Sequence, residues 1–292
     1  RNAGNILALG DAQDQTTIKF TKAARIVNAA LRNSTTFLAD RINVVGAVEA
    51  PADTLTLQSR LLDINSRNLH VPMGDPDSGL SASRIIITVD EQAQIGGWIR
   101  GNSLVQLHVT GSTGANSIAT FTDGLNSVNV DTLGVIQSLA ASSRIEIVTN
   151  GSVRNAGVIE AQGASSVLSI SGGTSLRVLE GGTLSTPGSN STVVLTGTGS
   201  LWSYSGSAIM AGVKFNTVNG APTPVVIGTA ASISLNFPGE MLLSGSVTSA
   251  AGMTISGGPR GVDYASYFDT LPGTILAETS PLTSYTSELQ AG

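Results

Sequence analysis

Short stretches of alternating apolar and polar residues follow one another along the whole chain. Ile85-Ile86-Ile87-Thr88-Val89, Leu104-Val105-Gln106-Leu107-His108-Val109, Arg144-Ile145-Glu146-Ile147-Val148, Thr192-Val193-Val194-Leu195 and Ile233-Ser234-Leu235-Asn236-Phe237 all follow this pattern. A period of two puts successive side chains on opposite faces, which is the signature of a β-strand. Gly, Asn, Asp and Ser clusters bound these runs, as in Thr149-Asn150-Gly151-Ser152 and Val218-Asn219-Gly220. Such residues make the corners a chain needs between short strands. One segment departs from the pattern: in Thr21–Leu31, residues Ala23, Ile26, Val27 and Ala30 share a helical face. It lies between two copies of a repeated phrase with room for a full coil, so strands are expected there.

That phrase is Gly-x-[Ile/Val/Leu]-x-[Ala/Ser/Thr], followed some residues later by a β-branched run. Arg1-Asn2-Ala3-Gly4-Asn5-Ile6-Leu7-Ala8 returns as Arg154-Asn155-Ala156-Gly157-Val158-Ile159-Glu160-Ala161. Further copies begin at Gly46, Gly134, Gly182 and Gly273. The spacing from Gly4 to Gly46 is 42 residues, from Gly134 to Gly157 is 23, and from Gly157 to Gly182 is 25. These are near multiples of a unit of about 21–23 residues, in the range of stacked repeat folds.

The expected fold is therefore all-β: a right-handed parallel β-helix, or β-solenoid, with coils of roughly 20–25 residues and a few loop insertions. It should occupy residues 1–292 as one continuous unit. With two or three strands per coil, about 13 coils would make a rod on the order of 60–65 Å long. Ile6, Val48, Ile136, Ile159, Leu184 and Ile275 occupy the aliphatic place of the phrase and are expected to stack in the core. Residues 70–82, 211–225 and 257–273 break the alternation with Pro, Gly and aromatic clusters, and read as lateral loops or flaps. The segment 257–292 would form a C-terminal flap or cap.

Composition narrows the picture. Aromatic residues are only 4% of the chain, so a thin core of Val, Ile, Leu and Ala is expected rather than a thick sandwich. Charged residues are 12%, about half the usual share, so the outer faces must be neutral Ser, Thr, Asn and Gln. A net charge of −5 without a basic cluster argues against nucleic acid. No apolar run approaches the length of a membrane-spanning helix. Cys is absent, which rules out disulfides and thiolate metal sites and suits an exported chain.

The motif Asn-x-Gly-x-Ile-x-Ala followed by a Leu/Val-rich strand resembles the repeats of filamentous haemagglutinin and haemolysin-type large secreted bacterial exoproteins, the two-partner secretion class. Arg154–Ala161 and Ala39–Ala50 carry the resemblance. It implies a secreted right-handed β-helix at the bacterial cell surface, used as an adhesin or as a stalk.

Candidate chemistry is sparse. A glycosidase needs two carboxylates within about 5–10 Å. Glu146 and Glu160 are less than a coil apart, whereas Glu49 and Glu160 hold the same place in the phrase several coils apart. Asp75-Pro76-Asp77-Ser78-Gly79 opens like a calcium loop, making Asp75 and Asp77 the candidate Ca2+ ligands, but the later ligands are missing and a solvated turn is the simpler reading. No other cofactor is implied. His70 and His108 are the only histidines, and His108 should point outward. Trp98 follows Gly96-Gly97 and reads as a corner residue. Trp202 and Tyr204, two apart, should share a strand face and could stack on a sugar or lie beneath the 211–225 loop. Three Asn-x-Ser/Thr matches, at Asn33, Asn150 and Asn190, arise readily in so Ser/Thr/Asn-rich a chain.

The function expected is an extracellular structural or adhesive rod segment without catalysis. The alternatives are a carbohydrate-active β-helix enzyme and a carbohydrate-binding module centred on Trp202 and Tyr204. Residue 1 lies inside a repeat phrase, so an open N-terminal edge is expected. It would be filled by a preceding part of the same polypeptide or by like subunits stacked head to tail, with surface glycans as further partners.

Overall fold

The computed structural model describes residues 35–64, 78–109, 127–218, 221–239 and 241–257, together with the strands Ile6–Leu7, Thr17–Phe20, Arg25–Val27, Val262–Asp263 and Tyr285–Glu288. Every regular element among them is a β-strand. The strands form three parallel columns that the chain visits in a fixed cycle.

The first column runs Arg25–Val27, 47–50, 79–82, 98–101, Val135–Ser138, Val158–Ala161, Thr183–Thr186, Ala208–Ala211 and Ser246–Ser249. The second runs Ile6–Leu7, Thr35–Leu38, 54–59, 84–89, 104–109, Arg144–Thr149, Val167–Gly172, Thr192–Gly197, Ser232–Phe237 and Gly252–Gly257. The third runs Thr17–Phe20, Arg41–Val44, 61–64, 92–95, Ser127–Val130, Ser152–Asn155, Ser175–Val178, Ser200–Ser203, Met241–Leu243 and Val262–Asp263. Each strand pairs in register with its counterpart one coil away. This is a parallel β-solenoid.

Alternation decides which side chains enter the core. In the first column Val48, Leu80, Ile99, Ile136, Ile159, Leu184, Ile209 and Val247 are all buried, and the residues between them face outward. The inward aliphatics of all three columns belong to one continuous hydrophobic cluster. Each such side chain contributes about 1.5–3 kcal/mol by leaving water.

The corners explain the repeat phrase. The Asn155 side-chain oxygen accepts from the Gly157 N–H at 3.1 Å, and its amide nitrogen donates to the Thr183 carbonyl of the next coil at 3.1 Å. Asn155 is fully buried and ties one corner to the next. A Cβ on Gly157 would run into the carbonyls of Gly134 and Asp131 in the coil below. The glycine is there because the axial stack leaves no room for a side chain.

At the corner between the first and second columns, Ser142, Ser165, Asn190 and Ala230 all adopt φ of 52–56°. The N–H groups of the first three donate axially, to Ala164, Ser189 and Thr229 oxygens, each at 2.7 Å. A left-handed corner is thus repeated coil upon coil.

The structure revises several expectations. Ile6 pairs with Phe37, which places it in the second column and not in the stack with Val48, Ile136, Ile159 and Leu184. The N-terminal copy of the phrase is therefore out of phase with the others. Ile275 lies outside the described residues. Residues 79–82 are a first-column strand, not part of a loop. The 211–225 flap is an antiparallel hairpin, Val213–Val218 with Ala221–Val226. In the 257–273 region, Gly257 ends a second-column strand and Val262–Asp263 extends the third column; the remainder lies outside the described residues.

Among the described residues the second column holds ten strands, a length of about 43 Å at the usual strand spacing. Residues 110–126, between a second-column and a third-column strand, lie outside the described residues. At the far end of this column Tyr285–Glu288 pairs antiparallel with Gly252–Ile255.

Candidate functional site

The middle outward position of the third column carries a distinct row of side chains. Going up the stack it reads Asn43, Asp63, Gln94, Asn129, Arg154, Arg177, Trp202 and Leu242. Strand alternation aims all of them away from the core, because Leu62, Ala93, Val128, Val153, Leu176, Leu201 and Met241 take the inward places.

The Arg177 guanidinium lies over the Trp202 indole, with Cζ 4.7 Å from the ring centroid. That is a cation–π contact between adjacent rungs. Arg154 is exposed one rung below Arg177. Ser152, Ser175 and Ser200 flank these three residues in register on the strands. Tyr204 is 40% exposed but lies past the end of Ser200–Ser203, at the corner, so it borders the row rather than sharing the strand with Trp202.

Four residues of the row carry buried polar atoms without a hydrogen-bond partner among the described residues. Among the described residues seven buried side-chain polar atoms lack one, and five belong here: Asn43 Oδ1, Gln94 Oε1, both Asn129 amide atoms and Arg177 Nε. Buried polar groups are nearly always satisfied, so this concentration in one outward row requires an explanation.

Other charged groups serve the scaffold. At the corner between the second and third columns Arg60 bridges two coils. Its Nε and Nη2 donate to the Asp40 carboxylate at 2.7 and 3.2 Å, and its Nη1 donates to Glu91 at 2.9 Å. Hydrogen bonding to Asp40, opposed by partial burial and helped by the charge of Glu91, holds the Arg60 pKa above that of a free arginine.

On the second column His108 points outward but does not stand alone. Its Nε2 is 3.2 Å from Gln106 Nε2 and 3.9 Å from Glu146 Oε1, and Arg144 Nε is 3.4 Å from Glu146 Oε2. Trp98 opens the strand Trp98–Val109 and faces outward, with Arg100 Cζ 5.1 Å from its ring.

Glu49 and Glu160 both occupy the outward third place of the first-column phrase, four rungs apart. Glu160 accepts from Ser185 and Gln162, at 3.1 and 2.6 Å. Asp75, Asp77 and His70 lie outside the described residues. Among the described residues no group of three or more His, Cys, Asp or Glu side chains could hold a metal ion, and no helix is long and apolar enough to cross a membrane.

Sequence reasoning singled out Trp202 but missed Arg154 and Arg177. Coil-to-coil register is what brings them together, and it can be read from the phrase spacing of 25 residues that carries Arg177 onto Trp202. No family model, curated protein or solved structure matches this chain.

Proposed function

We infer that this protein is a non-catalytic structural and adhesive rod, displayed outside the cell at a bacterial surface, whose flat outer faces make lateral contacts. The observation that carries this reading is the continuity of the stack. Three columns run in register along the stack, and the second column's outward row carries small neutral side chains at Thr56, Ser169 and Ser234. A narrow, stiff scaffold of this kind presents repeated positions at a fixed pitch, which suits attachment over an extended surface. The resemblance of Asn155-Ala156-Gly157-Val158-Ile159-Glu160-Ala161 to exoprotein repeats supports the surface location. Its axial neighbours would be further coils of the same polypeptide or like subunits.

The carbohydrate-active enzyme is the competing reading. It requires two carboxylates at reaction distance, whereas Glu146 is engaged with Arg144, His108 and Gln106. Incubation with a panel of acidic and neutral polysaccharides, followed by assay for new reducing ends and unsaturated products, tests the proposal. The rod reading expects no products; sustained turnover that purifies with the protein would overturn it.

A further inference from the structure

We propose that the part of the third column's outward row from Arg154 to Trp202 is a binding track for a carboxylate-bearing polysaccharide, with Arg154, Arg177 and Trp202 as its contact residues. The proposal rests on the attachment role inferred above and names the ligand of that surface.

Three features point to it. First, two arginines stand in register on neighbouring rungs, which gathers two guanidinium groups at one place on the row. Second, the Arg177 guanidinium lies over the indole of Trp202, and its Nε is buried without a hydrogen-bond partner among the described residues. A planar fork of N–H donors is therefore anchored on a ring with its buried Nε unmet among the described residues, while the chain as a whole is acidic at net charge −5. Third, the row combines groups that recognise an acidic sugar chain. A guanidinium pairs with a carboxylate through two parallel bonds. The indole offers an apolar face to a pyranose ring. Ser152 and Ser200, both half-buried, stand alongside with their hydroxyls.

Rungs repeat at about 4.8 Å, close to the length of one sugar in an extended polysaccharide, so successive sugars can meet successive rungs. An extended peptide does not share that repeat, because its side chains return to the same face only every second residue.

The test is affinity electrophoresis and calorimetry at low ionic strength with polygalacturonate, using sulfated dextran, neutral dextran and poly-glutamate as comparison polymers. Polygalacturonate should bind best and without turnover. Arg177→Gln and Trp202→Leu should each weaken it by about tenfold or more, in line with loss of a charged hydrogen-bonding group. Arg177→Lys should recover only part of the loss, because it keeps the charge but not the fork. Arg84→Gln, an exposed change on the second column, should leave binding unchanged.

Each variant's melting temperature, compared with the parent's, separates lost binding from lost folding. Arg177→Lys, the mildest change, keeps the test decisive if Trp202→Leu does not fold. Absence of polygalacturonate binding, equal binding of poly-glutamate, tighter binding of sulfated dextran, or indifference to the Arg177 variants would each overturn the proposal. None of these outcomes would touch the rod reading, which fails only on turnover.

Discussion

Replacing Gly157 by alanine sets two physical effects against each other. Its φ lies outside the left-handed region, so alanine should gain about 0.4–1 kcal/mol from reduced unfolded-state entropy. The structure opposes this. The new Cβ would press on the Gly134 and Asp131 carbonyl oxygens and sit 3.0 Å from the Gly134 carbonyl carbon. These are backbone atoms and cannot swing away. The Gly134 oxygen accepts the Val158 N–H at 2.9 Å, and the Asp131 oxygen accepts the Gly134 N–H at 2.8 Å. Separating the rungs enough to fit a methyl group stretches the Val158–Gly134 bond, the one of the two that runs between coils.

Overpacking costs about 1–3 kcal/mol and a weakened hydrogen bond about 1 kcal/mol, so the net loss should be about 2–3 kcal/mol. Two other glycines calibrate the result. At Gly252 nothing lies within 4 Å of a built Cβ, so Gly252→Ala should be neutral or stabilising by about 0.5 kcal/mol. At Gly181 there is space, but φ is 78°, so Gly181→Ala should cost about 1 kcal/mol through backbone strain alone. Urea denaturation followed by circular dichroism orders the three. A Gly157→Ala protein as stable as its parent, or more stable than Gly181→Ala, would refute the stacked-corner argument.

Further expectations follow from the same structure. Ile159→Asp buries a carboxylate in a fully enclosed site and should leave no folded protein, as judged by a lost β-sheet dichroism spectrum. Arg60→Gln leaves Asp40 and Glu91 facing each other across a coil boundary and should lower stability by about 1–3 kcal/mol, measured by urea midpoint. Because the folded Arg60 pKa is raised, its contribution is fully present below the pKa of an unfolded arginine and is lost only as pH rises through the folded value. The difference between parent and Arg60→Gln should therefore persist from neutral pH to about pH 10. Ala230→Asn puts a residue that tolerates positive φ where alanine is strained, and should raise the melting midpoint by an amount equivalent to about 0.5–1 kcal/mol.

The fold was legible because strand alternation and the Gly-x-Ile-x-Ala phrase report the same geometry. Five members of the first column escaped notice, and four of them depart from the phrase, Arg25–Val27 among them with Ala24 in the place of the leading glycine. Ser78-Gly79-Leu80-Ser81-Ala82 and Ser207-Ala208-Ile209-Met210-Ala211 replace the leading glycine by serine, whose hydroxyl finds a carbonyl: Ser78 donates to Val45 and Ser207 to Tyr204. Gly97-Trp98-Ile99-Arg100-Gly101 ends on glycine instead of alanine, and Gly245-Ser246-Val247-Thr248-Ser249 fits the phrase outright. The requirement is a small residue where rungs stack, which is broader than glycine.

Ile6 misled for the opposite reason, since its neighbours copy the phrase but pair with the second column. The outward row was less visible. Trp202 stands out in sequence, whereas Arg154 and Arg177 acquire meaning only when register sets them on successive rungs beneath it.

The most direct test of the account is the axial order of the coils. The chain has no cysteine, so spin labels can be placed at will. Thr56, Ile86, Gln106, Glu146, Ser169, Val194 and Ser234 occupy one outward row of the second column. Pulsed electron paramagnetic resonance should be recorded on Thr56→Cys paired in turn with Ser169→Cys, Val194→Cys and Ser234→Cys. At about 4.8 Å per rung the backbone separations should be about 19, 24 and 29 Å, rising by equal steps. Distances that fail to rise in this order, or that fall as the chain doubles back, would contradict a continuous parallel solenoid.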